Sequence, residues 1–152
     1  MILIAFLVVL VALFITAALT GVLTKFLERP AFVAVTASPV ETGPGTSVIR
    51  LYHSQGDPVN LNGTTQSQGS VSIGFILTDP SGTSVFLPFT GTLHTTAWRS
   101  GDSLYIYPGG TGGYWYADAA PSSGGLPPGV YTVRIIDTKA NLLLHNLTVT
   151  IP

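Results

Sequence analysis

The first 24 residues, MILIAFLVVLVALFITAALTGVLT, carry no charge, and 20 of them are apolar; only Thr16, Thr20, Gly21 and Thr24 interrupt the run. A helix over this stretch is about 36 Å long at about 1.5 Å per residue, against a bilayer hydrocarbon core of about 30 Å. Apolar residues surround such a helix on every side, so it has no solvent face and demands either lipid or protein around it. A secretory signal would show a basic start and an apolar core of about 7–15 residues, and this run has neither. Two readings remain: a membrane anchor, with Lys25, Glu28 and Arg29 meeting water at its end, or a helix that packs against copies of itself. Pro30 removes an N–H and biases the residue before it away from the α region, which predicts a helix end near Glu28 or Arg29.

Past Pro30 the chain changes character. Four positive and six negative charges leave residues 30–152 at net −2, with no basic patch, which argues against nucleic acid as a partner. The absence of cysteine removes disulfides, thiolate nucleophiles and Cys-ligated metals together. About 120 residues is enough for one domain with its own core. Runs at 32–38, 47–53, 70–79, 84–89, 92–98, 103–107, 130–137 and 142–151 alternate or stay apolar at strand length. DPSG at 79–82, SGD at 100–102 and PGGTGG at 108–113 punctuate them as turns. The expected fold class is α+β, with a hydrophobic helix over 1–29 followed by an all-β, immunoglobulin-like antiparallel sandwich over 30–152.

Candidate chemistry in the sandwich is sparse. His53 and Asp57 flank the turn SQG and could ligate a metal or exchange a proton, but two ligand-type residues make no site. The plainer reading has Asp57 capping the turn before Pro58 and His53 finishing a strand. His94 and His145 stand alone in strand-like contexts and read as packing histidines. Neither nucleophile triads, a phosphate-binding Gly loop nor paired carboxylates appear, so no enzyme, cofactor or metal is expected.

Tyr105, Tyr107, Tyr114, Trp115 and Tyr116 flank the Gly-rich turn, and the two-residue strand period puts Tyr105 and Tyr107 on one face. Such rings suit stacking on sugars or packing against a neighbour, or they fill the core; Tyr114, Trp115 and Tyr116 are the candidate surface contacts. The sequons Asn62-Gly63-Thr64 and Asn146-Leu147-Thr148 offer sites for covalent glycans.

A helix of this kind followed by LYHSQGDPVNL at 51–61, WRSGDSLYI at 98–106 and PGVYTVRIIDTKANLLLHNLTVTI at 128–151 resembles the archaeal type IV pilins. Ala5 stands where bacterial type IV pilins carry Glu, which points away from the bacterial branch. The resemblance implies an extracellular, cell-surface adhesive filament, a homopolymer whose helices rest in the cytoplasmic membrane before assembly. Ile2, Ile4, Ala5, Phe6, Val9, Ala12, Leu13, Phe14, Ala17 and Gly21 would then be assembly residues. It also implies a short basic leader removed ahead of Met1, and as partners a prepilin peptidase, an assembly ATPase and a membrane platform protein. A motility filament of the archaellum type uses the same subunit design, and a single-span, membrane-anchored binding module is the rival of a different class.

Overall fold

The structure, a computed structural model, describes residues 1–27 (20–27 as backbone), 32–61, 72–88, 90, 97–110 and 112–152. The chain divides into two compact units, Met1–Pro30 and Ala31–Pro152. In the first, α1 (Ile2–Leu27) contains no proline and no glycine before Gly21, so nothing breaks the helix over its first five turns. Its one described polar side chain is Thr16, whose hydroxyl donates to the Ala12 carbonyl one turn back and so needs no water. All described side chains of α1 are exposed, and Ile2–Leu19 is long and apolar enough to cross a membrane. The expected helix end at Glu28 or Arg29 lies outside the described residues.

The second unit is a β-sandwich. One sheet has the order β1 (Val33–Gly43), β2 (Thr46–Gly56), β6 (Ser103–Pro108), β7 (Tyr114–Ala117), all antiparallel. The other has the order β3 (Asn60–Leu61), β4 (Ser72–Thr78), β8 (Gly129–Asp137), β9 (Leu142–Ile151), with β5 (Ser84–Phe86) also on β4. The short β3–β4 pair is parallel, so the sandwich is mixed rather than purely antiparallel. A two-residue strand behind Pro58 is too short to show a period, which hides it in the sequence. β7 also goes unmarked, because its run YWYA reads as the flank of a glycine turn rather than as an edge strand. Most of the expected strand at 92–98 falls outside the described residues; Trp98 at its end makes a single bridge to Val59.

Alternation builds the core. Tyr131, Val133 and Ile135 of β8, Ile73, Phe75 and Leu77 of β4, and Leu104 and Ile106 of β6 are all buried, while the side chains between them are not; Gly74, which has none, is buried beneath Phe86. Phe75 ties the two sheets together, edge-on to Tyr116 of β7 at 4.8 Å and to Trp98 at 5.9 Å. His145 of β9 reaches the Val33 carbonyl of β1 and laces the sheets at a second place.

Turn chemistry fixes the register. The Asp137 carboxylate accepts the amides of Lys139 and Ala140 at 2.9 and 3.1 Å, and Asn141 takes the left-handed conformation (φ 51°) that closes the β8–β9 hairpin. Asp79 holds the β4–β5 turn likewise, accepting from Ser81 N–H, Ser81 O–H and Thr83 N–H. The Ser81 hydroxyl, above all, holds the Asp79 carboxyl below its usual range.

Gly56 is required by both conformation and space. Its φ is +123°, and a Cβ there would sit 2.0 Å from the Phe32 carbonyl oxygen. Gly56→Ala should therefore cost about 2–4 kcal/mol, read as a lower melting temperature, because the start of β1 must move. An unchanged melting temperature would contradict this close approach.

Candidate functional site

Three places could carry function: the surface of α1, the buried histidine of β2, and the aromatic outer face of the first sheet. Along α1, Ile2, Ile4, Ala5, Phe6, Val9, Ala12, Leu13, Phe14 and Ala17 are all exposed within the chain. Gly21 lies on the helix among residues described only as backbone. A shallow apolar dip is lined by Leu7, Val8, Val11, Ala12 and Ile15. Residues at such i, i+3, i+4, i+7 spacing form the kind of hole that takes a side chain from a facing helix.

His53 and Asp57 do not act together. His53 is 0 % exposed; its backbone N–H donates to the Asp102 carbonyl at 3.0 Å and its carbonyl accepts from Gly101 at 2.8 Å. Its ring lies 4.9 Å from the Trp98 ring, and neither ring nitrogen has a hydrogen-bond partner among the described residues. Trp98 Nε1–H donates to the Asp102 carbonyl at 3.2 Å, and Ser100 donates to the Ser54 carbonyl at 2.9 Å, so the turn at 99–102 is fastened to the end of β2. Asp57 instead serves β1. Its carboxylate accepts the Phe32 amide at 3.1 Å and its own amide donates to the Phe32 carbonyl at 2.8 Å, which replaces the expected local cap before Pro58. The carboxylate prefers this amide because the tight approach at Gly56 brings β1 alongside. Among the described residues no three His, Asp or Glu side chains are placed to hold a metal.

Burial pushes the His53 imidazole below its ordinary value of 6.5, outweighing nearby backbone groups of Gln55, Trp98 and Arg99 and the Asp102 charge, which favour the proton. A folded value below the unfolded one means that the neutral ring is the stabilising form. That stability is present above 6.5 and is lost as pH falls below it towards the folded value. Melting temperatures of the full chain should fall between pH 7 and pH 5, and His53→Leu should flatten that slope. An equal slope in the variant would assign the effect elsewhere. Asp79 also loses stability on acidification, but around and below 3.8, in a separate window.

The aromatic residues divide between two sides. Tyr105 and Tyr107 do share a face, the outer one, where Arg50 pairs with Tyr105, Tyr52 with Ser103, and Tyr107 with Trp115. The Arg50 guanidinium sits 5.3 Å from the centre of the Tyr52 ring, and the Tyr107 hydroxyl meets that of Thr90 at 2.9 Å. Tyr116 is a correction: it is 0 % exposed in the core, where burial raises its hydroxyl pKa, and it cannot be a surface contact. Tyr114 also leans inward, half-buried against the core, edge-on to Tyr131 at 6.3 Å, with its hydroxyl 3.4 Å from the Asp79 carboxylate. The strand period explains both, since Tyr114 and Tyr116 must share the side opposite Trp115. Tyr131 donates to the Pro127 carbonyl at 2.9 Å, and burial, reinforced by the charges near it, pushes it up to about 12.

Asn62 of the first sequon lies outside the described residues, as does His94. Asn146 is exposed on the outer face of β9, paired with Arg134, and Thr148 points the same way. Comparison of the chain with protein-family models, with curated proteins and with solved structures finds no match.

Proposed function

We propose that the chain is the structural subunit of an extracellular filament of the archaeal type IV pilus kind, polymerising through α1 and serving surface adhesion. One observation carries the reading: a helix apolar on every side and exposed at each described position stands ahead of a sandwich that has a complete core of its own. At about 25 cal/mol per Å² of apolar surface, such a helix needs cover along its whole length. Lipid can give it at first, and the helices of neighbouring copies afterwards. Contacts between unlike surfaces of identical subunits with helical symmetry do not close, so they yield a filament rather than a ring. A prepilin peptidase, an assembly ATPase and a membrane platform protein would serve that route, and glycans at Asn146 would protect an otherwise weakly charged surface.

The membrane-anchored binding module has the same helix in its favour. Shearing cells separates the two. The filament reading expects this polypeptide to leave in long, detergent-resistant filaments, and recovery only as a monomer in the membrane fraction would sink it.

A further inference from the structure

The outer face of the β1-β2-β6-β7 sheet ends in a cavity of about 310 Å³ lined by Trp98, Asp102, Ser103, Tyr105 and Asp118, among others. Tyr105 belongs to both features: it lines the cavity and pairs with Arg50 of β2 and Ala117 of β7. One oxygen of Asp102 accepts the Arg99 amide at 3.0 Å, which aims the carboxylate and leaves its other oxygen open. Asp118 is half-buried and makes no hydrogen bond among the described residues. Two acceptors, a hydroxyl and an aromatic ring thus meet in a concave space large enough for one small ring-shaped ligand.

That mixture selects among ligand classes. A phosphate or nucleic acid would face two carboxylates and is repelled. A metal ion would need a third ligand, and no such group exists among the described residues. A protein partner would bury Asp102 and Asp118 beneath it, whereas the cores of protein interfaces are depleted of charge because unpaired buried ions are costly. A sugar ring meets every requirement. Its hydroxyls donate to carboxylates and accept from Ser, and its C–H face packs on an aromatic ring.

We propose that this cavity and the tyrosine face beside it bind a neutral saccharide, with one sugar ring held by Asp102, Asp118 and Ser103 and packed against Tyr105. As the ligand of an adhesive filament the saccharide rests on the preceding reading; as a binding site of the sandwich it does not.

The test uses the full chain in a zwitterionic detergent without a sugar headgroup, titrated with maltotriose, cellotriose, mannotriose and chitotriose while tryptophan fluorescence is followed. Trp98 lines the cavity, so occupancy should change its emission. Saturable binding of at least one trisaccharide is expected, weakened about ten-fold or more in Asp118→Ala and in Tyr105→Ala, with melting temperatures held and with Tyr105→Phe close to the parent. No saturable binding across the panel would overturn the proposal, as would binding that both alanine variants leave intact. Self-association of the chain abolished by Tyr105→Ala, without sugar binding, would overturn it in favour of a contact between copies. Filaments that form without binding sugar count against this site alone, while sugar binding by a chain that never polymerises counts against the filament alone.

Discussion

Replacing Ala12 with aspartate is expected to abolish polymerisation while leaving the sandwich folded. Ala12 lines the apolar dip together with Val8, Val11 and Ile15, where a facing apolar side chain has no polar group to offer. A carboxylate at the middle of a membrane-buried helix costs about 2.5–3.5 kcal/mol in lipid, and between packed helices it would be met again at every subunit. No filaments should appear in the sheared fraction. Ala12→Gly, which keeps the dip, should still assemble. The sandwich should show its normal melting transition by circular dichroism, because its core is made wholly of residues beyond Pro30. Filaments from the aspartate variant, or loss of the sandwich transition in it, would contradict the division of labour between the two units.

The second large effect is expected from Phe75→Ala. Phe75 is fully buried at the middle of β4, between Leu77 and Ile73, and its ring meets Tyr116 of the opposite sheet at 4.8 Å and Trp98 at 5.9 Å. Truncation leaves a void that rigid strands on both sides cannot close, and removes two edge-to-face contacts. The expected loss is about 3–5 kcal/mol, a fall in melting temperature of about 10 °C or more. A loss under about 1 kcal/mol would mean that the sheets are held chiefly elsewhere, for example where His145 meets Val33.

What the sequence disclosed follows from the range of the forces involved. The helix was legible because 24 uncharged residues admit few structures, and the strands at 47–53, 103–107 and 130–137 because one face of each is buried and the two-residue period survives. β3 and β7 were not, since two residues show no period and YWYA carries three aromatic rings in a row, with no polar alternation. The same gap misplaced Tyr116. Once Tyr114–Ala117 is a strand opposite Tyr105–Pro108, alternate rings must enter the core, but only pairing makes it one. Asp57 was misassigned for a different reason: its partner, the Phe32 amide, lies 25 residues away and no local pattern announces it. The cavity was invisible likewise, because Asp102 and Asp118 sit on separate loops that meet only through the β6–β7 pairing.

The sequence contains no cysteine, so a single introduced one reports only on contact between copies. With Ala12→Cys in otherwise unaltered filaments sheared from cells, mild oxidation should convert the subunit to disulfide-linked dimers, since the account packs α1 helices from neighbouring copies together. Cysteine at Thr148, exposed on the outer face of β9, should not match that yield. Ala12→Cys that stays monomeric, with the chain retained in the membrane fraction, would contradict assembly through the helix.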